Sequence, residues 1–119
     1  AQRLVRRLCE AGRAPYEASM EDLAALRADA VKLKQPLMRA VGCERCQGIG
    51  YKGRLGLFEL LIMTEALRPL VMEHAEISAF RNHARAQGMR TLREDGISKV
   101  LAGETTVEEM VRETQDYEE

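Results

Sequence analysis

Three cysteines are the residues of this 119-residue chain whose types and spacing suggest chemistry. Cys43 and Cys46 form a CxxC motif, and Cys9 is the remaining thiol. Two thiolates at this spacing on a turn can face one metal ion, and soft sulfur ligands suit zinc. A structural zinc site has four ligands in a tetrahedron, so these residues supply three and leave the fourth unidentified.

Three interpretations of this cluster stay open from the residues alone. The first is a complete zinc site that takes an unexpected fourth ligand. The second, which we favour, is a degenerate zinc knuckle held by packing without a metal. The third is a redox CxxC pair of the thioredoxin type, which requires the motif at a helix start, whereas glycines follow it here.

Arg54 is a second candidate for recognition, because it lies between glycines that shield it little. A guanidinium can grip a carboxylate or a phosphate with two parallel hydrogen bonds. From the residues alone, we expect its partner to be an acidic residue of the same chain, such as Glu59 or one on a neighbouring helix.

The elements that position these residues follow from local patterns. Residues 1–9 are predicted to be helical, because Leu4, Val5 and Leu8 share one helical face. The dense glycines from Val41 to Gly56 predict tight turns with positive φ angles.

The apolar run at residues 57–63 predicts a buried strand, and helices follow it to the end of the chain. Capping patterns predict where helices begin, and glycines predict where they end. The predicted caps are Ser19 with Asp22, Thr64, and Thr105 with Glu108, and the predicted stops are Gly88 and Gly103.

The composition argues against several classes of protein. The formal net charge is −1 with 31% charged residues, which is no basic excess for a nucleic-acid partner. The sequence has no apolar run of the roughly 20 residues that span a bilayer, and it lacks the GxxxxGK[ST] phosphate loop. Because it begins with Ala inside a predicted helix, we expect a fragment of a longer protein, with cysteine usage that suits a reducing cytoplasm.

Three blocks together carry a resemblance to a known family. The strip from Ala40 to Glu59 contains CERC followed by GYKGRLGLFE, and residues 1–9, 89–96 and 99–109 flank it in order. This arrangement resembles the CxxC…GYxGRxGxxE signature of type II secretion and type IV pilus assembly ATPases. The family carries a second CxxC after the opening segment, and Gly12 stands here where its second cysteine would be.

The resemblance implies a fold that is mostly α with a short β element near residues 51–63. It implies the helical C-terminal domain of a RecA-like secretion ATPase with a cysteine-bearing subdomain. We divide the chain into residues 1–50, an opening helix with a degenerate tetracysteine subdomain, and 51–119, the β element with a helical bundle. Cys9, Cys43 and Cys46 would be the remaining metal ligands, and zinc would be the metal if any binds.

The resemblance also implies a function for the parent protein, which would be a cytoplasmic homohexamer that hydrolyses ATP with magnesium. Its partners would be the other ring subunits, an inner-membrane platform protein and cytoplasmic adaptors. The fragment itself would be non-catalytic, with Arg54 and Glu59 at a subunit interface or near the nucleotide. The alternatives are a free-standing zinc-knuckle interaction module and a CxxC thiol protein.

Overall fold

The computed structural model describes residues 2–27, 33, 35–60, 65–74 and 76–114. In these ranges the first half of the chain contains four strands and one helix, and the second half contains helices only. The strands are β1 (Gln2–Leu8), β2 (Arg13–Tyr16), β3 (Leu37–Ala40) and β4 (Tyr51–Phe58). The helices are α1 (Met20–Leu26), α2 (Arg68–Met72), α3 (Ile77–Ala86), α4 (Leu92–Leu101) and α5 (Val107–Thr114).

Within these ranges the strands form two antiparallel pairs, β1 with β4 and β2 with β3. The fold is therefore mixed α/β, with more strand than the single short β element that the sequence predicted. The pairing of β1 with β4 crosses the predicted division at residue 50. None of the helices in the described ranges is long and apolar enough to cross a bilayer.

The opening segment is strand β1, so the predicted helix over residues 1–9 is wrong. Val5 and Leu8 are buried, but Leu4 is 55% exposed, and no continuous apolar helical face exists. The β1–β4 ladder shifts register between Arg6 and Leu8, which breaks the two-residue alternation that marks a strand in a sequence. Pairing with a strand far along the chain thus decided a segment whose local pattern looked helical.

The edge of β1 that faces away from β4 is closed by the segment leading into α5. The Leu8 N–H donates to the Glu104 carbonyl at 2.8 Å. The Thr105 hydroxyl donates to the Arg6 carbonyl at 2.8 Å, and the Arg6 N–H donates to Glu109 Oε1 at 2.8 Å. These bonds satisfy backbone groups that an exposed edge strand would leave open to another chain.

The predicted strand over residues 57–63 begins earlier, because β4 covers Tyr51–Phe58. Positions 61–63 of that prediction, and the predicted cap Thr64, lie outside the described residues.

The predicted helix boundaries are largely confirmed. Ser19 and Asp22 form a reciprocal capping box at the start of α1. Gly88 and Gly103 follow α3 and α4 with φ angles of 99° and 78°, as helix-ending glycines do.

The cap of α5 lies one residue later than predicted. The Thr106 hydroxyl, rather than that of Thr105, accepts the Glu109 N–H at 3.2 Å. Thr105 is instead used across the fold, where its hydroxyl bonds to β1.

Two apolar clusters hold the elements together. One joins α1, β3, α4 and α5, and the other packs the β1–β4 ribbon against the start of α4. Gly96 of α4 allows close packing between these regions, since an added Cβ there would meet Met110 at 2.7 Å and Leu57 at 3.3 Å. The first cluster consists of Leu26, Leu37, Val100, Val107 and Met110, and the second of Val5, Leu57 and Leu92.

Candidate metal-binding knuckle

Strand ends and glycine turns bring the three cysteines together. Cys9 directly follows β1, and its N–H donates to the Gly50 carbonyl at 3.0 Å, just before β4 begins. Cys43 and Cys46 lie in the turn between β3 and β4. The two strand pairs therefore place their connecting segments side by side, and we call Cys9–Gly12 and Gly42–Gly50 the cysteine knuckle.

Two glycines make this turn sterically feasible. Gly42 and Gly50 have φ angles of 110° and 88°, a region that other residues rarely adopt. A Cβ added at Gly42 would lie 2.5 Å from the Gly48 carbonyl oxygen, and a Cβ added at Gly50 would lie 2.6 Å from the Ala40 Cβ. The prediction of tight turns with positive φ in this stretch is confirmed at both positions.

The sulfur atoms have a spacing that fits a metal site. Cys43 Sγ lies 3.6 Å from both Cys9 Sγ and Cys46 Sγ, and all three sulfurs lie within 4.8 Å of one another. Four thiolates around zinc, with bonds of 2.3 Å, would be about 3.8 Å apart. A disulfide would require about 2.05 Å, so the three cysteines are free thiols. The donor set fits three vertices of a zinc tetrahedron.

The Cys46 sulfur is held by backbone donors. It accepts N–H bonds from Gly50 at 3.1 Å and from Cys43 at 3.2 Å. Burial raises the pKa of the Cys46 thiol, but these N–H groups and the neighbouring sulfurs outweigh it and lower the pKa to about 7. The pKa of the Cys43 thiol is raised. The backbone hydrogen bond with Cys46 lowers this pKa, but burial and the two neighbouring thiols together outweigh that effect. The knuckle therefore favours negative charge at Cys46, as a metal ligand requires.

Gly12 faces this sulfur cluster from the position where the family pattern has a cysteine. A Cβ added to Gly12 would lie 2.9 Å from Cys46 Sγ, and the Gly12 carbonyl accepts the N–H groups of Val41 and Gly42. Among the described residues, no fourth His, Cys, Asp or Glu joins the three cysteines. The fourth vertex of the tetrahedron therefore receives no His, Cys, Asp or Glu side chain from the described residues.

Arg54 lies in the middle of β4 and Glu59 lies directly after its end, and the two side chains have different surroundings. The Glu59 carboxylate accepts the N–H of Leu92 at 3.2 Å, at the first turn of α4, where negative charge is stabilised. Arg54 is exposed and lies directly opposite Arg6 in the ladder. In the described part of the chain Arg54 forms no ion pair, with Glu59 or with any other residue.

A buried carboxylate that the sequence reading missed lies next to this ribbon. Glu109 is 1% exposed and bonds to Arg6 and to Arg112, with Arg112 Nη2 at 2.6 Å. The Arg6 guanidinium also stacks 4.1 Å from the centre of the Tyr51 ring. The sequence signal for Glu109 is its spacing from Thr106, a second capping pattern one residue after the predicted pair of Thr105 and Glu108.

Comparison with known proteins identifies the relatives of this chain. The model of the type II/IV secretion system protein family matches residues 1–112. The type II secretion system ATPase E of Vibrio cholerae is 42% identical over 98% of this chain, and the type II secretion system protein E of Xanthomonas campestris is 43% identical over 98%. The type IV pilus assembly ATPase PilB of Thermus thermophilus is 39% identical over 96%. This chain spans 23%, 21% and 13% of the lengths of these three relatives, respectively. The chain belongs to the type II/IV secretion system protein family.

Proposed function

We propose that this chain is a non-catalytic C-terminal region of a hexameric ATPase that powers type II secretion or type IV pilus assembly. The observation that carries the proposal is the match of residues 1–112 to the family, with relatives that are themselves named as such ATPases. ATP and magnesium would bind in the remainder of the parent, because the relatives are several-fold longer than this chain. In the parent, this region would serve ring assembly at the cytoplasmic side of the inner membrane.

The outer edge of β4 supports a role in packing against another part of the ring. Arg6 turns both its N–H and its carbonyl away from β4, so Arg6 and Arg54 are a non-hydrogen-bonded pair of the ladder. Arg54, and Gly56 two residues on, therefore turn their backbone groups toward the free edge. Phe58, two residues further along β4, also directs its N–H to this edge and donates it to Asp95 at 3.0 Å. An edge of this kind is a template for a further strand.

The charge on Arg54 supports an acidic partner at the same edge. Like charges directly opposite in an antiparallel pair are destabilising, and Arg54 faces Arg6. Arg6 is compensated by Glu109 at 3.1 Å, whereas the described residues supply Arg54 with no carboxylate. We propose that a carboxylate or a phosphate from a neighbouring subunit, or from the nucleotide between subunits, compensates Arg54 in the assembled ring.

The cysteine knuckle would give this region rigidity. Cys9, Cys43 and Cys46 would hold a zinc ion, which would cross-link the end of β1 to the turn before β4. A ligand from outside the described residues would complete the tetrahedron. The metal would be structural and would take no part in ATP hydrolysis.

Coupling to the inner-membrane platform protein and to cytoplasmic adaptors is the second part of the proposal. Its support is three exposed apolar side chains, Val71 and Met72 of α2 and Ile77 of α3, which are 42%, 79% and 77% exposed. Exposed apolar residues that lie together in a patch mark protein contact surfaces. A Met72→Asp and Ile77→Asp double variant should reduce secretion or piliation while ATP hydrolysis by the purified hexamer is retained.

The decisive experiment is a charge substitution in the full-length ATPase. Arg54→Ala should lower hexamer formation and ATP hydrolysis at least tenfold, which corresponds to about 1.4 kcal/mol. Lys52→Ala is the matched control, because Lys52 is also an exposed cation on β4. Native mass spectrometry gives the hexamer fraction, and phosphate release gives the turnover. Equal effects of the two substitutions would refute the role of Arg54, and ATP turnover by the isolated 119-residue chain would refute its non-catalytic role.

A further inference from the structure

The three thiols differ in access and in how firmly they are held. Cys9 and Cys46 are each only 5% exposed, whereas Cys43 is half-buried and reachable from solvent. Cys43 Sγ is 3.6 Å from each of the other two sulfurs. Cys46 is the more readily ionised thiol, but it is buried, so a small oxidant that enters the knuckle reaches Cys43 first, with two thiols beside it.

The two neighbours are not equivalent partners for a disulfide. Cys46 Sγ accepts the N–H groups of Gly50 and Cys43, so moving it would leave buried donors without an acceptor. Cys9 Sγ accepts no backbone N–H among the described residues, and its movement toward Cys43 breaks no such bond. A sulfur separation of 3.6 Å must shorten to about 2.05 Å, and Cys9 is the thiol that can move at the lower cost.

We propose that Cys43 is an oxidation site, at which a peroxide produces a reversible Cys9–Cys43 disulfide. In the first step the Cys43 sulfur attacks a peroxide oxygen, an S–O bond forms, the O–O bond breaks and water leaves. The product is a sulfenic acid at Cys43. In the second step the Cys9 sulfur attacks Cys43, the S–S bond forms, the S–O bond breaks and the thiol proton leaves with hydroxide as water. The two sulfurs lose two electrons in total, and the peroxide gains them.

The disulfide would replace a metal as the cross-link between Cys9, at the end of β1, and the turn between β3 and β4. Because Gly12 stands where a fourth cysteine would be, the sulfur cluster has three thiols, and oxidation of two of them removes donors that a metal would need. Disulfides in a reducing compartment are typically transient and respond to redox conditions. A thiol reductant would return Cys9 and Cys43 to the reduced state and restore the metal-binding set. The inference depends on the sulfur geometry and holds whether or not the knuckle binds zinc.

The test uses the 119-residue chain, treated with a chelator and then with an equimolar amount of hydrogen peroxide. Free thiols are alkylated, and intact mass and peptide mapping identify the cross-link. We expect a monomer that has lost two hydrogens, with Cys9 joined to Cys43, and full recovery after dithiothreitol. A Cys43–Cys46 or Cys9–Cys46 product, a dimer, or a sulfinic acid as the main product in wild type would overturn the proposal without any variant.

Three variants sharpen the assignment, with circular dichroism to check that each is folded. Cys46→Ser should retain the cross-link. Cys9→Ser should accumulate the sulfenic acid at Cys43, trapped with dimedone. Cys43→Ser should consume peroxide at least tenfold more slowly, and an unchanged rate would contradict the proposal. A repeat of the peroxide treatment with excess zinc distinguishes metal binding from oxidation. Protection of the thiols by zinc reports metal binding, whereas a Cys9–Cys43 cross-link that forms equally well with zinc present supports the oxidation site and argues against the metal.

Discussion

The buried carboxylate of Glu109 offers a quantitative test of what holds β1 to the helices. Its side chain is 1% exposed and receives the Arg6 N–H at 2.8 Å, the Arg6 guanidinium at 3.1 Å and the Arg112 guanidinium at 2.6 Å. Glu109→Gln preserves the shape of the side chain and one acceptor oxygen. It removes the negative charge and directs an amide N–H₂ at a donor.

The expected cost follows from the exposure of each partner. The Arg6 and Arg112 side chains are 46% and 56% exposed, so water solvates both when the carboxylate is lost. Each of these ion pairs therefore contributes only about 0.5–1 kcal/mol. A mismatched donor in the buried position adds about 1–2 kcal/mol. Glu109→Gln should lower the free energy of unfolding by about 2–4 kcal/mol in total.

The pH dependence gives a second readout of the same interaction. Burial raises the pKa of Glu109, but the hydrogen bonds from Arg6 and the charges of Arg6 and Arg112 outweigh it, and the folded-state pKa is lowered. The stabilisation is therefore complete above the unfolded-state pKa of about 4.3 and is lost as the pH falls through the lower folded value. The difference in stability between wild type and Glu109→Gln should shrink as the pH is lowered below about 4.

Urea unfolding of both proteins, followed by far-ultraviolet circular dichroism, measures these differences at matched m-values. Glu108→Gln is the control, because Glu108 is the exposed neighbour on the same helix and should change stability by less than about 0.5 kcal/mol. If Glu109→Gln is no more destabilising than Glu108→Gln at neutral pH, the ion-pair account of this junction is wrong. A difference that stays constant down to acidic pH would refute it equally.

Three other substitutions test the knuckle and the last helix. Gly50→Ala should destabilise the chain by about 2–4 kcal/mol, because it adds backbone strain and a Cβ only 2.6 Å from another. Gly48→Ala, with a φ of 80° and open space around it, should cost only about 1 kcal/mol, and equal losses in thermal unfolding would contradict the steric argument. Thr106→Ala should cost about 1–2 kcal/mol in urea unfolding, through loss of the α5 cap and of the hydrogen bond with the Tyr51 hydroxyl, and a negligible loss would contradict this role. Gly12→Cys should strengthen zinc binding at least tenfold, or about 1.4 kcal/mol, in competition with a chromophoric chelator. Its exposed neighbour Ala11→Cys should leave the affinity unchanged, and a similar gain at both positions would argue against a fourth vertex at Gly12.

The sequence by itself determined the features that depend on a few consecutive residues. The capping box of Ser19 and Asp22 needs only a three-residue spacing, and it is present. Helix ends at Gly88 and Gly103, and the glycine turns around Gly42, follow from backbone freedom at single positions. The CxxC spacing likewise placed Cys43 and Cys46 within reach of each other.

Tertiary structure alone decided the features that depend on distant partners. Residues 1–9 have an apolar pattern that suits a helix, but β4 satisfies the backbone of this segment as a strand. That pairing brings Cys9 next to Cys43, and it puts Glu109 rather than Glu108 in the interior. The sequence contains two capping patterns that differ by one residue, and the free N–H of Arg6 on β1 selects the one that includes Glu109. Local sequence determines what a segment can form, while the choice among those conformations depends on which distant groups satisfy its hydrogen bonds and cover its apolar side chains.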